Sequence, residues 1–252
     1  MTAPVLVTGG TGTIGSRVVP MLRTAGKEVR VLSRHLGENE PGLTHVQADT
    51  VTGAGLTEAL DGIDVVLHLA GGAKGDDTAA RNLTDAAKRA HIQHMILISV
   101  TGADKMPIGY FRTKASAEQI LAHSGTPYTI LRAAQLHDFV LPVIRSMTKL
   151  PLLPTPGGLR FEPVAVDEVA RRLCELTIGD PAGHVADIVG PEVLTVRELA
   201  DIYNEQTHRR HRASLPVRIP GGVGRAYRAG DNLAAVGALR AAGTWREFLD
   251  QH

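Results

Sequence analysis

Short apolar runs alternate along the chain with longer segments in which apolar residues recur every three to four positions. The runs predict strands at Val5–Val7, Val29–Leu32, His45–Gln47, Val65–Leu69, Met95–Ser99 and Tyr128–Leu131. The segments between them predict helices at Ser16–Thr24, Leu56–Leu60, Thr78–Ala90 and Ala115–His123, with Gly26 and Gly125 as left-handed residues where two helices end. The strands show little alternation, which is typical of a sheet covered by helices on both faces. The pattern therefore predicts an α/β fold with a doubly wound parallel sheet.

The alternation of apolar runs and helical segments changes after Arg132. Prolines and glycines cluster in Leu150–Gly158, which predicts a loop. Beyond it the pattern predicts a helix starting near Asp167, a strand around Val185–Val189, and a helix after Thr195 with Glu198 as its capping-box partner. We expect residues 1–133 to form the sheet and residues 134–252 to form a smaller substrate-binding lobe, packed with the core as one compact unit.

A glycine-rich turn, Gly9-Gly10-Thr11-Gly12-Thr13-Ile14-Gly15, joins the first strand to the first helix. This strand–turn–helix context is typical of dinucleotide binding. Gly9 allows the tight turn, Gly12 lets the backbone approach a pyrophosphate, and Gly15 lets the helix pack closely on the strand. The turn therefore predicts a Rossmann-type sheet, with Gly9, Thr11, Gly12, Thr13, Ile14 and Gly15 contacting the cofactor.

The residues that follow later strands indicate which dinucleotide binds. Ser33 and Arg34 end the second strand, where an arginine accommodates the 2′-phosphate of NADP, so NADP(H) is favoured over NAD(H). A solvent-facing arginine that needs no ligand is the alternative for Arg34. Asp49 follows the third strand and either accepts a hydrogen bond from the adenine amino group or caps a loop. Ala70 and Gly71 are small enough for the ribose and nicotinamide to pass close to the backbone.

Tyr110 and Lys114 lie four positions apart, at or just before the helix that follows the fifth strand. That spacing puts both side chains on one helix face. A tyrosine hydroxyl has a pKa of about 10, and a nearby ammonium lowers it enough for acid–base work. Ser99 closes the fifth strand and could hold a substrate oxygen, with Thr101 as the alternative. The competing interpretation is an amphipathic tyrosine and an exposed Lys114 that pairs with Glu118.

Three side chains that follow Arg132 are the first able to reach over a nicotinamide: Gln135, His137 and Phe139. We expect them to contact the substrate. His137 could act as a second acid–base group or a hydrogen-bond donor, and a loop histidine with satisfied ring nitrogens is the alternative.

Composition narrows the class of protein. With 27 basic and 26 acidic residues, the chain lacks the charge for a nucleic-acid partner, and Arg209-Arg210-His211-Arg212 is interpreted as a solvated turn. The single cysteine, Cys174, excludes an internal disulfide and a thiolate metal cage. Met1 lies close to the first strand, and no apolar run approaches the roughly 18–20 residues that span a bilayer. We expect a soluble, cytoplasmic monomer or homodimer without a metal or a membrane partner.

Together these features resemble the short-chain dehydrogenase/reductase superfamily over roughly residues 3–200. The resemblance rests on Thr8-Gly-x-x-Gly-x-x-Gly15, Arg34, Asp49, the Ala70-Gly71 turn, Asn82-Leu83-x-x-Ala86-Ala87, Ser99, Tyr110-x-x-x-Lys114 and Thr129-Ile130-Leu131-Arg132. The glycine spacing, the compact length and the Thr-Ile-Leu-Arg strand look most like the atypical, NmrA-like NAD(P)-binding group.

The resemblance implies a Rossmann fold with a small C-terminal lobe, NADP(H), and a catalytic triad of Ser99, Tyr110 and Lys114. It also implies that Lys114 holds the nicotinamide ribose. The sequence departs from the family in two places. Where the family often has an asparagine that organises a relay water, this chain has Asp76, with Asn82 as a possible substitute, and the interval from Ser99 to Tyr110 is slightly short.

These features predict an NADP(H)-dependent oxidoreductase that transfers hydride to a carbonyl, enone or quinone of a small apolar molecule, with Tyr110 as the acid–base group. A non-catalytic NADP(H)-binding redox sensor or regulator of the NmrA type is the alternative. A third possibility is an epimerase-like use of bound NAD, against which Arg34 and the small second lobe weigh.

Overall fold

The computed structural model describes residues 3–72 and 75–252. The elements are β1 Val5–Thr8, α1 Gly15–Thr24, β2 Val29–Ser33, β3 Leu43–Gln47, α2 Leu56–Leu60, β4 Val65–His68, α3 Asp76–Arg89, β5 His94–Val100, α4 Gly109–Ala122, β6 Tyr128–Ala133, α5 His137–Met147, β7 Leu152–Pro156, β8 Arg160–Phe161, α6 Val166–Ile178, β9 Gly183–His184, β10 Ile188–Val189, β11 Leu194–Thr195, α7 Val196–Gln206, β12 Ala213–Val217, α8 Gly221–Ala229, β13 Leu239–Arg240 and α9 Trp245–Asp250. Within the described ranges, no helix is long and apolar enough to cross a membrane.

The chain divides into two compact units, and the division differs from a single boundary after residue 133. The first unit comprises Met1–Ser99, Thr113–Leu131 and Val169–Val185. The second comprises Val100–Arg112, Arg132–Glu168 and Ala186–His252. Most of α6 therefore belongs to the first unit although it lies late in the sequence.

The first unit is built on a sheet with the strand order β6-β5-β4-β1-β2-β3, and β9 adds to β6. Strand β1 pairs in parallel with both β2 and β4, so that Val5 aligns with Val29 and Val65. The same register aligns Thr8, the last residue of β1, with His68, the last residue of β4. Strand order and direction are those of a doubly wound Rossmann sheet, which confirms the predicted fold class.

Helices α2, α3 and α4 cover a continuous apolar core in the first unit. Its fully buried members include Leu6, Leu60, Leu83, Met95 and Leu121, which come from strands and helices alike. Burial on this scale stabilises the sheet by about 1.5–3 kcal/mol for each large apolar side chain. The core fixes the strand ends, where the polar residues of the candidate site lie.

The second unit holds smaller sheets and its own core. Strand β10 pairs in parallel with β13 and with Ala133, while β8 pairs with β11 and β7 pairs with β12. Trp245 is the largest fully buried side chain, and it packs with Leu153, Leu199 and Tyr203. Thr195 and Glu198 form the predicted capping box at the start of α7, which is confirmed.

Two local predictions needed correction, and a third is confirmed. The segment Leu150–Gly158 is not all loop, because Leu152–Pro156 forms β7. Its prolines are tolerated since β7 pairs on one side only, with β12, and needs few donors. Helix α4 begins at Gly109, six residues before the predicted start, so Tyr110 lies inside it. Gly26 and Gly125 have φ of 78° and 80°, which confirms the predicted left-handed helix ends.

Candidate functional site

The glycine turn after β1 is packed so closely that two of its glycines admit no side chain. Gly9 has φ of 69°, and a Cβ added there would lie 2.7 Å from the amide nitrogen of Ala70. A Cβ on Gly15 would lie 2.2 Å from the carbonyl oxygen of Gly9. Gly12 differs, since among the described residues an added Cβ would meet a single atom within 4 Å, that same carbonyl oxygen at 3.3 Å. Gly9 and Gly15 thus serve packing, while Gly12 is less crowded than either.

Backbone donors are exposed at the N-terminus of α1. Among the described residues, no acceptor receives a hydrogen bond from the amides of Thr11, Thr13 or Ile14. The N-cap position, Ile14, makes no side-chain capping bond either. Unpaired amides at a helix N-terminus favour an anion, and the helix dipole adds to the attraction. The turn therefore fits the pyrophosphate of a dinucleotide.

The side chains predicted to select the dinucleotide lie at the ends of β2 and β3. Arg34 is exposed directly after β2, and the Ser33 hydroxyl accepts a hydrogen bond from the His35 amide at 3.2 Å. Asp49 Oδ1 accepts a hydrogen bond from the Val51 amide at 2.8 Å. Asp49 Oδ1 therefore caps the loop, as the alternative interpretation expects. The contact with adenine stays a prediction.

A buried polar pair joins the ends of β1 and β4. The Thr8 hydroxyl lies 2.7 Å from His68 Nδ1 and accepts a hydrogen bond from the Ala70 amide at 3.1 Å. In the arrangement that satisfies all three groups, Thr8 donates its proton to Nδ1, which leaves the imidazole proton on Nε2. The pKa of His68 is lowered to about 4, mainly by burial and also by the ammonium of Lys114, while the charge of Asp76 opposes both effects. His68 is thus a neutral group at neutral pH.

Lys114 and Asp76 form an ion pair beneath the backbone that follows β4. Lys114 Nζ lies 2.9 Å from Asp76 Oδ2, and each residue is 6% exposed. Asp76 Oδ1 accepts a hydrogen bond from the Gly72 amide at 2.6 Å. A Cβ on Gly71 would lie only 2.8 Å from Lys114 Nζ. Glycine at position 71 therefore lets the ammonium lie against the backbone, and a side chain there would displace the end of Lys114.

This pair changes the interpretation of three predicted residues. The alternative of an exposed Lys114 is wrong, since the side chain is buried and contacts Asp76. Asp76, the nearest counterpart of the family's asparagine, holds Lys114. Asn82 donates hydrogen bonds to the carbonyl oxygens of Thr50 and Val51, at 3.0 Å and 2.8 Å, and so anchors the loop after β3.

Ser99 also lies at the carboxyl edge of the first unit's sheet. Its side chain is 2% exposed, and within the described ranges its hydroxyl makes no hydrogen bond. Thr101, the alternative to Ser99, belongs to the second unit and likewise makes no side-chain hydrogen bond among the described residues. A buried hydroxyl group without a hydrogen-bond partner destabilises a packed core. Such a group is suited to bind a ligand.

Tyr110 lies in the first turn of α4, one turn before Lys114, and is 39% exposed. Its ring packs edge to face against Phe111, with centroids 5.7 Å apart. By the division above, Tyr110 belongs to the second unit, whereas Ser99 and Lys114 belong to the first. The triad as a whole therefore stays a prediction.

The three predicted substrate residues all lie in the second unit, in different surroundings. Phe139 is 60% exposed and Gln135 is half-buried. His137 is not in a loop, since it is the first residue of α5, and its fully buried ring packs on Trp245 and Phe248. Neither ring nitrogen makes a hydrogen bond of ordinary geometry among the described residues. Burial lowers the pKa of His137 to about 4, against the opposing effects of the Pro163 carbonyl and the Asp138 and Glu168 charges.

The sequence-based interpretation missed His68. A signal was present, because His68 is a polar residue at the end of an apolar strand and is followed at once by Leu69-Ala70-Gly71-Gly72. Its partner Thr8 is equally polar and ends β1. Two polar residues at aligned ends of adjacent parallel strands indicate a shared site.

Comparisons with known proteins identify similar chains. The family model described as NAD(P)H-binding matches residues 9–157. Quinone oxidoreductase 2 of Escherichia coli is 30% identical over 135 residues, which cover 51% of this chain and 47% of that protein. The (4-alkanoyl-5-oxo-2,5-dihydrofuran-3-yl)methyl phosphate reductase of Streptomyces griseus is 30% identical over 203 residues, covering 77% of this chain and 70% of that protein.

The chain spans about half the length of the first of these relatives. Among solved structures, the triphenylmethane reductase of Citrobacter sp. is similar over 98% of both chains, with a TM-score of 0.81 and 20% identity. That likeness concerns the fold.

Proposed function

Because the chain belongs to the NAD(P)H-binding family of oxidoreductases, we propose that it is a reductase acting with NADPH on a carbonyl, enone or quinone of a small, mostly apolar molecule. The observation that carries this proposal is the buried pair of Lys114 and Asp76 beneath Gly71 and Gly72. Burying two charges adds little net stability. A buried ammonium at the carboxyl edge of a parallel sheet, where such folds bind ligands, is suited to chemistry.

The cofactor contacts are proposed from the first unit. The open amides of Thr11, Thr13 and Ile14 would hold the pyrophosphate, and Arg34 would contact the 2′-phosphate. Lys114, held by Asp76, would donate hydrogen bonds to the nicotinamide ribose. The bound nicotinamide supplies the hydride.

The proton and the substrate oxygen are assigned to residues of the chain. Tyr110 would donate the proton to the reduced oxygen, since it lies one turn before Lys114 on α4. Ser99 would donate a hydrogen bond to the same oxygen, because its buried hydroxyl has no other identified acceptor among the described residues. Asp76 acts as a positioning residue that keeps the ammonium in place.

The names of the relatives narrow the substrate class. One is named for a quinone and the other for a 5-oxo-2,5-dihydrofuran, and each of these compounds carries a carbonyl conjugated with a carbon–carbon double bond. Hydride addition to the conjugated carbon–carbon double bond gives an enolate, which is lower in energy than the alkoxide of a simple aldehyde because its negative charge is shared between oxygen and carbon. We therefore propose conjugated carbonyl compounds as the first substrates to test, ahead of simple aldehydes.

The direct test is NADPH binding followed by oxidation. Purified protein is titrated with NADPH and NADH by nicotinamide fluorescence, and then quinones, enones and aldehydes are added while the loss of reduced nicotinamide is followed. We expect saturable NADPH binding and turnover with at least one conjugated acceptor. Saturable binding with no oxidation across the panel would contradict the proposal and favour the redox sensor.

A Gly12→Val variant is the matched control for this test. A Cβ there would lie 3.3 Å from the Gly9 carbonyl oxygen, so the folding of the variant is first checked by its thermal unfolding midpoint. The same side chain would occupy the approach of the pyrophosphate, so binding and oxidation of NADPH should both be lost.

Replacing Arg34 by aspartate should weaken NADPH binding by about tenfold or more, because a charge-assisted hydrogen bond becomes a repulsion. NADH should then bind as well as NADPH or better. The measurement is a pair of fluorescence titrations on the variant and on Arg81→Asp, an equal charge change at an exposed site on α3. Equal NADPH affinity in the two variants would refute the 2′-phosphate role of Arg34.

A further inference from the structure

The second unit contains a positively charged cavity that the proposed oxidoreductase chemistry does not use. It has a volume of about 420 Å³ and is lined by Thr148, Lys149, Arg209, Arg210 and Arg212. Thr148 and Lys149 directly follow α5, and the three arginines follow α7. Four of the five lining residues are cations and none is a carboxylate.

The carboxylates nearest in sequence to these arginines are committed to other cations. Asp201 accepts hydrogen bonds from Arg197 and His211, and Glu205 pairs with Arg246 at 2.8 Å. Within the described part of the chain, no salt bridge involves any of the four cations that line the cavity. Arg209 lies over the Tyr203 ring, 5.7 Å from its centroid, and no carboxylate of the described residues is within salt-bridge distance of the four cations.

Helix dipoles account for only part of this arrangement. A cation within a few residues of a helix C-terminus is stabilised by the negative end of the dipole. That explains Lys149, which follows the end of α5, and Arg209, whose amide donates to the Asn204 carbonyl at the end of α7. Arg210 and Arg212 lie beyond the last turn of α7, and no such effect favours their placement.

We propose that this cavity binds a small molecule that carries two or more linked phosphate groups. Four positive charges match the charge of linked phosphates better than that of a single carboxylate. Arginine is suited to this ligand because its planar guanidinium can bind phosphate oxygens through two parallel hydrogen bonds. The volume lies at the lower end of the range for small-molecule sites, about 300–1,000 Å³, which favours a compact ligand.

The test uses inorganic pyrophosphate as the probe, on protein saturated with NADP⁺ so that the glycine turn is already occupied. Isothermal titration calorimetry at constant ionic strength should show one saturable site. Arg210→Gln/Arg212→Gln should weaken binding by about tenfold or more, because each arginine supplies charge-assisted hydrogen bonds. Both residues are exposed, so the variant should keep the parent's thermal unfolding midpoint.

Two further variants make the result specific. Lys149→Gln, on the other wall of the cavity, should also weaken pyrophosphate binding, whereas Lys88→Gln/Arg89→Gln, an equal loss of charge on α3, should not. If pyrophosphate shows no saturable binding, or if the α3 variant weakens its binding equally, the cations attract only a diffuse counterion atmosphere. Either result would overturn the proposal. Binding of single-stranded nucleic acid that pyrophosphate fails to displace would overturn it in favour of a macromolecular partner.

The same variants separate this inference from the proposed function. Arg210→Gln/Arg212→Gln should bind NADPH as the parent does, since the glycine turn is unchanged. If NADPH fails to bind the parent protein, the pyrophosphate titration can still be performed without NADP⁺. The titration then uses the Gly12→Val variant, in which the added side chain blocks the glycine turn.

Discussion

Replacing Lys114 by methionine is expected to lower the free energy of unfolding by about 3–5 kcal/mol. The substitution removes the ammonium that lies 2.9 Å from Asp76 Oδ2 and leaves a buried carboxylate without that cation. Methionine is unbranched and only one atom shorter than lysine, so the loss reflects charge more than a cavity. Urea denaturation followed by circular dichroism measures the change.

The matched control is the double variant Asp76→Leu/Lys114→Met, in which both charges are removed. Its free energy of unfolding should return to within about 1 kcal/mol of the parent or exceed it, because a buried ion pair is commonly no better than apolar replacements of similar volume. Asp76→Asn alone should be destabilised, since the ammonium remains buried. Additive losses in the single and double variants would show that the two residues do not act as a pair.

If the double variant is stable but inactive, the ion pair serves the reaction and not the stability of the fold. The carboxylate is fixed by the Gly72 amide, and Gly71 leaves room for the ammonium against its backbone. Each of these contacts would be dispensable in an apolar core. Their joint presence at the carboxyl edge of the sheet is what the proposed function explains.

Local patterns predicted the part of the site that lies close together in sequence. The glycine turn could be recognised because three glycines spaced three apart, Gly9, Gly12 and Gly15, follow a strand and open a helix. The structure adds a physical reason for two of them, since side chains on Gly9 and Gly15 would collide with backbone atoms. The doubly wound parallel sheet followed from the alternation of strands and helices, because right-handed crossovers leave few arrangements.

Contacts between distant residues could not be predicted in this way. Asp76 and Lys114 are brought together by the alignment of α3 and α4 with the sheet, and no local pattern records that alignment. The pairing of Thr8 with His68 depends on the register of β1 and β4. Pattern also misled at β7, where Pro154 and Pro156 indicate a loop although a strand that pairs on one side only can accept them.

Replacing Tyr110 by phenylalanine should lower kcat by about 100-fold or more, because general-acid catalysis by a positioned side chain contributes factors of that size. The ring and its edge-to-face contact with Phe111 are kept, so folding should not change. NADPH affinity should also stay at the parent's value. The measurements are steady-state kinetics with the best acceptor of the panel and a fluorescence titration with NADPH.

The loss should depend on the acceptor if Tyr110 is the proton donor. An aldehyde or enone needs a proton on the oxygen or carbon that receives charge, whereas a reduced quinone is a stable anion that can take its proton from water. Tyr110→Phe should therefore be most impaired with aldehydes and enones and least with quinones. Tyr128→Phe, which removes a hydroxyl from a residue packed beside the first unit's core, is the control and should leave turnover unchanged. Unchanged turnover of every acceptor by Tyr110→Phe would refute the acid–base role and leave direct hydride transfer without a protein acid.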